Sequence, residues 1–215
     1  MEIERYEPFH IGIKFESGHD MGVLRGRIRK ALSSRTDYKV MGEPQIEPVI
    51  GIASGKAVLA VKDDVKIELN FPAAALNTIG ENPKKVSDTF EEVASEILPS
   101  EGYDMDIVVS FYEIITHITI KSDKEPTELL SNFMKLDLEL LKQRDVRVSG
   151  FKMSNEFTVR DKGRLTEVIV EPNAASPRDK LMVVIVYRSV DIEEIAQFHE
   201  KVEDLVIKLI QSLEV

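Results

Sequence analysis

Residues 9–15 read Phe-His-Ile-Gly-Ile-Lys-Phe, in which apolar residues alternate with other residues at a period of two. This alternation predicts a β-strand with one face in a hydrophobic core and the other in water. A turn-forming sequence, Ser-Gly-His-Asp, follows at 17–20. Beyond it, apolar residues recur at helical spacing, namely Met21, Leu24, Ile28 and Leu32. The segment therefore predicts a strand, a turn and an amphipathic helix over 21–34, with Ser17 or Asp20 as its N-cap.

The same order of elements recurs later in the chain. Residues 13–17, before the first helix, resemble residues 118–122, before the third predicted helix. The alternating strand at 65–72 resembles the one at 165–172, and each ends in proline. We interpret this recurrence as a tandem duplication with its joint near 99–104.

The faces of the predicted strands indicate the fold class. Strands with one polar face, and few helices per strand, favour antiparallel sheets over a doubly wound parallel sheet. We predict an α+β protein of two similar β-α-β-β-β-α halves, residues 1–102 and 103–215, with helices packed on one face. The two halves can also form one continuous pseudo-symmetric domain. The TATA-binding-protein fold, built of two β-α-β-β-β-β-α halves, is similar in element order; this topological resemblance implies nothing here about DNA binding.

Two local predictions concern segments with weaker patterns. Residues 72–82 and 172–178 follow corresponding strands and are predicted as loops, whose polar side chains either bind a ligand or solvate the backbone. Residues 105–121 are predicted as one strand whose apolar positions change from odd to even numbers. A bulge near Tyr112 would reconcile the two phases.

Composition restricts the class of protein. The chain has 215 residues, a formal charge of -10 and 43% hydrophobic residues, which is too apolar for a disordered chain. It has no cysteine, so disulfide scaffolds, thiolate zinc sites and a cysteine nucleophile are excluded. No apolar run approaches the roughly 20 residues of a membrane span, and residues 1–5 do not resemble a secretory signal. We expect a soluble, cytoplasmic protein without a membrane partner.

The sequence carries none of the common catalytic signatures. There is no nucleophile elbow, zinc-protease motif, phosphate-binding loop or dinucleotide fingerprint. The four histidines, His10, His19, His117 and His199, have no partner at a spacing typical of metal ligands. We therefore predict no catalytic residue, no metal and no cofactor, and we favour a non-catalytic protein over an enzyme.

The segment at 17–35 is the strongest candidate for ligand binding. A turn leads into a helix N-terminus, where free N–H groups and the helix dipole favour an anion. The helix is rich in arginine within an acidic chain. The candidate ligand-binding residues are Gly18, His19, Asp20, Gly22, Arg25 and Arg29. Alternatively, the helix simply carries a solvated basic face that pairs with acidic surface elsewhere.

Residues 20–24 also carry a family resemblance. Their sequence, Asp-Met-Gly-Val-Leu after a strand, resembles the strand–loop–helix opening of ACT-type amino-acid-binding modules, roughly D-x-x-G-x-L. Here the glycine follows the aspartate by two residues rather than about three. The resemblance implies an amino-acid carboxylate near Gly18–Gly22, at a subunit interface.

Three functions follow as hypotheses. The first is a non-catalytic binding or assembly protein that forms a homo-oligomer through the apolar seam of the terminal helix, at 191–213; that seam can equally serve the monomer core. The second is a regulatory or enzymatic module that binds a small anion or amino acid through the Gly18–Gly22 turn and the basic helix. The third is a weak nucleic-acid contact through residues 25–35, which the net negative charge disfavours.

Overall fold

The computed structural model describes residues 1–42, 55–134, 149–155 and 164–213. Its strands are β1 (Glu2–Tyr6), β2 (Phe9–Phe15), β3 (Lys39–Val40), β4 (Lys56–Lys62), β5 (Val65–Asn70), β6 (Ala75–Gly80), β7 (Val109–Lys121), β8 (Phe151–Ser154), β9 (Leu165–Pro172) and β10 (Lys180–Ser189). The helices are α1 (Met21–Ser33), α2 (Pro83–Glu92), α3 (Leu98–Ser100), α4 (Met105–Val108), α5 (Pro126–Met134) and α6 (Ile192–Leu213). A π turn, Val93–Ile97, joins α2 to α3.

The strands form one large antiparallel sheet, ordered β3-β4-β5-β6-β2-β7-β10-β9-β8. The strand β1 also pairs with β7, next to β2, so that Tyr6 lies opposite Ile118 and His10 opposite Ile115. Since β2 belongs to residues 1–102 and β7 to residues 103–215, their pairing joins the two predicted halves into one sheet. The predicted α+β class with antiparallel pairing is confirmed.

The described helices and one face of the sheet share a single hydrophobic core. On β2, alternate residues are buried on that face, namely Phe9, Ile11, Ile13 and Phe15. Ile114 of β7 lies opposite Ile11, so the same face continues across the centre of the sheet. Apolar helix residues join this cluster, among them Leu24, Ile28, Val86, Phe90, Ile195, Val202 and Leu209. The terminal-helix seam therefore packs within the protomer.

The prediction of a loop at 72–82 is wrong, because residues 75–80 form β6 between β5 and β2. Alanine, asparagine and glycine are depleted in strands, so the sequence Ala-Leu-Asn-Thr-Ile-Gly gives little β signal. Two neighbouring strands supply ladder hydrogen bonds to both edges of β6. This tertiary pairing outweighs the weak local preference.

The start of the strand predicted at 105–121 is also wrong. Residues 105–108 form the short helix α4, which Asp104 caps by accepting a 3.2 Å hydrogen bond from the Asp106 N–H. Met105 and Ile107 therefore precede the strand, and their spacing of two residues does not show which face of a strand is apolar. The register of β7 shifts between Phe111 and Val109, slightly before the predicted bulge at Tyr112.

The order of elements differs in detail from the predicted halves. Residues 1–102 contain an additional strand, β1, and the unpredicted β6, while residues 103–215 begin with α4. Their sequences predict strands at 50–53 and 156–160 and a helix at 126–142; both strands and residues 135–142 of that helix lie outside the described residues. Within the described part of the chain, none of the helices has both the length and the apolar character that a membrane crossing requires.

Candidate functional site

The residues predicted to bind a ligand surround the start of α1. Asp20 is the N-cap, and its Oδ1 accepts hydrogen bonds from the Gly22 N–H at 2.9 Å and the Val23 N–H at 3.0 Å. Gly18 has a φ of +91°, a left-handed conformation that glycine adopts without steric cost. The N–H groups that were expected to attract an anion thus already donate to a carboxylate of the chain. Ligand binding by Gly18, His19, Asp20 and Gly22 stays a prediction.

The aromatic and basic side chains of the same segment contact the protein itself. The His19 ring stacks on Phe15 at 5.2 Å and tilts against Tyr103 at 5.5 Å between centroids. Arg27 lies over the Tyr103 ring and donates to a backbone carbonyl. Arg29 donates to the Met41 carbonyl oxygen at 2.9 Å, while Arg25, one turn earlier, is half-buried. Because these side chains contact the protein itself, the structure favours a stabilising role for the basic residues of α1 over ligand binding.

A cluster of ionised groups fixes the end of α2. Glu92 Oε2 accepts hydrogen bonds from the Tyr38 hydroxyl at 2.7 Å and from Lys62 Nζ at 2.5 Å, and its Oε1 pairs with Arg35. Lys62 also pairs with Asp37 at 2.6 Å. The cluster ties α2 to β4 and to the loop after α1, so it gives the helix a rigid position.

A cleft opens between α2 with its π turn and the start of α6. It consists of two adjoining pockets of about 570 and 460 Å³ that share Ser95 and Ile192 in their walls. Carboxylates dominate the lining, namely Asp88, Glu91, Glu92, Glu96, Asp106, Asp191, Glu193 and Glu194. We call this feature the acidic cleft. Since α2 comes from residues 1–102 and α6 from residues 103–215, it lies where the two predicted halves meet.

Helical periodicity places one wall of the acidic cleft. The helix α2 begins with Pro83 in its first turn, and the Asn82 Oδ1 caps it by accepting from the Lys85 N–H. Asp88 and Glu91 share one side of the helix because they are three positions apart, and Ser95, in the π turn that follows, lines the same cleft. The apolar residues of α2, Val86 and Phe90, lie in the core. Burial of the apolar side therefore directs the acidic side towards α6.

Hydrogen bonds around Glu194 position the other wall. The Ser189 hydroxyl donates to Glu194 Oε2 at 2.7 Å and accepts from the Asp191 N–H at 3.0 Å. The Tyr187 hydroxyl donates to the same carboxylate at 3.3 Å, and Arg164 forms an ion pair with it. Ser189 is only 1% exposed. These groups hold the first turn of α6 in place.

Tyr112 is a buried residue in the lining of the larger pocket. Only 5% of its surface is exposed, and its ring meets Phe90 edge-on at 5.9 Å. Burial and the charges of Asp106 and Asp191 raise the pKa of Tyr112 to about 12. The structure records no hydrogen bond to its hydroxyl within the described residues. At neutral pH the cleft therefore contains a neutral hydroxyl that can donate or accept a hydrogen bond.

Among the residues that the structure describes, most carboxylates of the acidic cleft have no cationic partner. No Lys or Arg of the described residues forms an ion pair with Asp88, Glu91, Asp106, Asp191 or Glu193. Arg164 is the single cationic side chain among the described lining residues, and it pairs with Glu194. Carboxylates gathered in a concave site reinforce one another's potential, so the cleft attracts positive charge.

Sequence reasoning did not find the acidic cleft. By sequence alone, residues 91–92 and 193–194 indicate only acidic helix residues that complement the dipole, and the two pairs lie about 100 positions apart. The acidic side of α2 at Asp88 and Glu91 is the one local signal, and it equally describes a solvated surface. The described residues contain no group of three or more His, Asp or Glu side chains able to hold a metal ion.

Comparison with known proteins assigns neither a family nor a function to the chain. No protein-family model matches the chain, and no curated protein matches it. Its function is therefore inferred from the geometry and chemistry of its own residues.

Proposed function

We propose that this is a non-catalytic binding protein and that the acidic cleft is its ligand site. The observation that carries the proposal is the convergence on two adjoining pockets of the Tyr112 hydroxyl and of carboxylates that form no ion pair with another described residue. Their volumes fall in the range typical of small-molecule sites. Both walls are helices held by networks around Glu92 and Glu194, so the site needs little rearrangement to accept a ligand.

The side chains of the acidic cleft favour binding over nucleophilic catalysis. A serine nucleophile needs an accessible hydroxyl beside a general base. Ser189 is buried and its hydroxyl is already engaged with Glu194 and with the backbone of α6. No histidine is among the described lining residues. Ser95 is exposed, but no histidine lies beside it among the described lining residues to act as its general base. The other polar groups are carboxylates, the Arg164 guanidinium and a phenol whose raised pKa keeps it protonated, which suits recognition.

A ligand screen with a blocked cleft tests the proposal. Thermal-shift measurements on the intact chain survey amino acids, amines, nucleotides and phosphosugars. Ser95 is exposed and borders both pockets, so Ser95→Trp should fill the cleft and abolish the shift of any true ligand. The matched control Ser33→Trp, at an exposed serine of α1, should retain it. A ligand that still binds Ser95→Trp with unchanged affinity would place the site elsewhere.

The two other predicted binding modes use the same screen. A small anion or amino acid at Gly18–Gly22 predicts a shift that Arg25→Ala abolishes and Ser95→Trp leaves intact. Nucleic-acid contact through residues 25–35 predicts salt-sensitive retardation of single- or double-stranded probes. The internal contacts of Arg27 and Arg29 leave fewer cations for either mode, so the acidic cleft is the better-supported site.

We also propose that the chain is a tandem duplication. The two central strands, β2 and β7, each pair with the last strand of their own part, β6 and β10. Each of these last strands is followed by a helix that lines the acidic cleft, α2 or α6. This correspondence supports two related units that meet at the β2–β7 pair, and it accounts for a cleft at their junction.

Self-association through α6 stays a prediction. Most of its apolar seam packs in the protomer core. Within the described part of α6, Ile207 is the one exposed large apolar residue, with 40% of its surface accessible. Light scattering tests the prediction. A dimer that Ile207→Glu converts to a monomer would support it, and a wild-type monomer would exclude it at the concentration used.

A further inference from the structure

We infer that the sheet face opposite the described helices binds a single-stranded nucleic acid, whose phosphates contact lysines and one of whose bases enters a pocket beside His10. This face lies on the other side of the sheet from α2 and α6, so binding there is independent of the acidic cleft. Two observations carry the proposal, namely the lysines on this face and the unpartnered Nε2 of His10.

Strand register defines the residues of this face. On β2, Ile11 and Ile13 point into the core, so His10 and Lys14 lie on the outer face. Pairing extends the outer face from His10 through a row of residues, namely Ile79, Lys66, Val61 and Lys39. This row crosses the five strands from β2 to β3 and spans about 19 Å at the usual strand spacing. We call the outer side of these five strands the basic face.

The basic face has more lysine than acid. Its lysines are Lys14, Lys39, Lys56 and Lys66, and its one acidic residue within the described strands is Glu68. Lys56 pairs with Glu68 at 3.4 Å. The other three lysines form no ion pair with a described residue, and each is half-buried or exposed. In a chain with a formal charge of -10, this face is a local region of positive charge.

Separated lysines suit an extended polyanion. Lysines that neutralise phosphates release counterions, and this term supplies essentially all of the sequence-independent affinity for nucleic acid. Lys39 and Lys66 lie two strands apart in the row, about 10 Å. A single small anion would contact one of them, whereas a chain of phosphates contacts both. The acidic cleft lies on the opposite side, so the field of the protein directs a polyanion to the basic face.

A pocket beside this row provides the second observation. It has a volume of about 400 Å³, and its lining includes His10, Ile79, Ile115 and His117. The Nε2 of His10 is buried and has no hydrogen-bond partner. A buried polar atom without a partner costs free energy, which a hydrogen bond to a bound group would recover. An imidazole among apolar side chains therefore offers a base both a ring to stack on and a polar atom to bond.

These features favour a single strand over other polyanions. Bases in a duplex stay paired and stacked, so they enter a pocket only when they are flipped out. An acidic peptide supplies carboxylates for the lysines but no base for the pocket beside His10. A single strand supplies both phosphates and unstacked bases.

Fluorescence anisotropy of labelled oligonucleotides with the intact chain tests the proposal. Oligouridine and oligothymidine are titrated at low ionic strength, beside a duplex of the same length, and the single strands should bind more tightly. Three or four phosphate contacts predict that the logarithm of the affinity falls with the logarithm of the salt concentration at a slope of about -2 to -3. Absence of single-strand binding at low ionic strength, or tighter binding of the duplex, would overturn the inference.

A pair of double variants locates the phosphate contacts. Lys39→Ala combined with Lys66→Ala removes two exposed cations of the row. It should weaken oligouridine binding about fourfold or more and reduce the salt slope by about 1.4. The matched control, Lys201→Ala combined with Lys208→Ala, removes two exposed cations from α6 and should leave the affinity within about twofold. Equal losses in the two double variants would show unspecific attraction and contradict the proposal.

Substitution of His10 tests the base pocket. His10→Ala removes the ring and should weaken oligouridine binding at least about fivefold, the effect of one lost stacking contact. His10→Phe retains a ring for stacking and should restore most of the affinity. Urea denaturation of both variants shows whether each is folded. A folded His10→Ala variant with wild-type affinity would exclude a base at this pocket, and the inference would fail.

The remaining outcomes concern other surfaces and other polyanions. If Lys30→Ala on α1 weakens binding more than the Lys39 and Lys66 double variant, the nucleic acid lies on the basic helix and the inference is wrong. If polyglutamate of equal charge competes as well as oligouridine, the face binds any polyanion and the nucleic acid is excluded. Ser95→Trp should leave oligouridine binding unchanged, and its loss in that variant would contradict a site on the basic face.

Discussion

The Tyr38 hydroxyl donates a 2.7 Å hydrogen bond to Glu92 Oε2, which joins the segment before β3 to the last residue of α2. Lys62 lies 4.8 Å from the centre of the Tyr38 ring and donates to the same carboxylate oxygen. Tyr38 itself is 6% exposed. One carboxylate therefore receives the hydrogen bonds that lock one wall of the acidic cleft onto the sheet.

Glu92→Gln should destabilise the protein by about 1–3 kcal/mol, because it leaves the partly buried cations of Lys62 and Arg35 without their shared carboxylate. The neighbouring Glu91→Gln removes an exposed carboxylate without an ion-pair partner in the described residues and should change stability by less than about 0.5 kcal/mol. Urea denaturation measures both. Equal midpoints for the two variants would show that the cluster around Glu92 adds no stability.

The Glu92 carboxylate should make the free energy of unfolding depend on pH in the acid range. Burial alone would raise the pKa of Glu92, but hydrogen bonds from Lys62 and Tyr38 and the charges of Lys62 and Arg35 outweigh it and lower the pKa below 4.5. The folded state then binds fewer protons than the unfolded state, so acid favours unfolding. The stability difference between wild type and Glu92→Gln should be full above about pH 5 and shrink as the pH falls through the pKa of folded Glu92. Urea midpoints measured from neutral to acid pH check this, and a difference that grows in acid would contradict it.

Gly12→Ala should destabilise the centre of the sheet. A Cβ at Gly12 would lie 2.7 Å from Asn77 Oδ1, and Asn77 is 4% exposed. The amide must move within a packed environment, and such overpacking costs about 1–3 kcal/mol. Thermal and urea denaturation measure the loss.

Gly26→Ala is the matched control for that substitution. Gly26 lies within α1, and a Cβ there meets nothing within 4 Å. Alanine should therefore stabilise the protein by up to about 1 kcal/mol through its higher helix propensity. The two substitutions should shift the denaturation midpoint in opposite directions. A shift of both midpoints in the same direction would contradict the contact between a Cβ at position 12 and Asn77.

Asp20→Ala should weaken the start of α1. The substitution removes the acceptor for the Gly22 and Val23 N–H groups, and loss of an N-cap costs about 1 kcal/mol. Asp20→Asn retains a capping oxygen and should keep most of the stability. Urea denaturation distinguishes them. If both variants lose the same stability, the charge of Asp20 rather than its capping bonds is responsible.

Tyr112 should be a late-titrating tyrosine. Its pKa is raised to about 12 by burial and by the charges of Asp106 and Asp191. Asp106→Asn removes one of these charges and should lower the pKa towards its ordinary value of 10.0. Tyrosinate absorbance after a rapid pH jump, with Tyr112→Phe to assign the signal, measures the change. A pKa that rises in Asp106→Asn would show that this carboxylate does not face the phenol.

Local pattern was sufficient for the strongly periodic elements. The alternation at 9–15 and the helical spacing over 21–34 correspond to β2 and to α1, which ends at Ser33. The uninterrupted apolar run at 181–187 predicts a central strand buried on both faces. The strand β10 does lie between β7 and β9, but only alternate residues of it are fully buried. In each case burial of an apolar face dominates the local free energy, so the sequence carries the signal.

Where the local signal was weak, neighbours in space decided the structure. The segment at 75–80 has poor β propensity and becomes a strand because β5 and β2 flank it. Residues 105–108 look like a strand by apolar alternation, but the cap at Asp104 and the start of β7 at Val109 make them a helical turn.

The sequence by itself determined an α+β chain with antiparallel strands, because alternation and helical spacing record which side of each element is buried. Only the tertiary structure decided that the β2–β7 pair joins the strands of residues 1–102 and 103–215 into one sheet. It also decided that Glu91 and Glu193 line the same cleft. The physical reason is distance along the chain. Carboxylates about 100 residues apart interact only after the core has placed their helices side by side, and no local pattern of acidic residues records that arrangement.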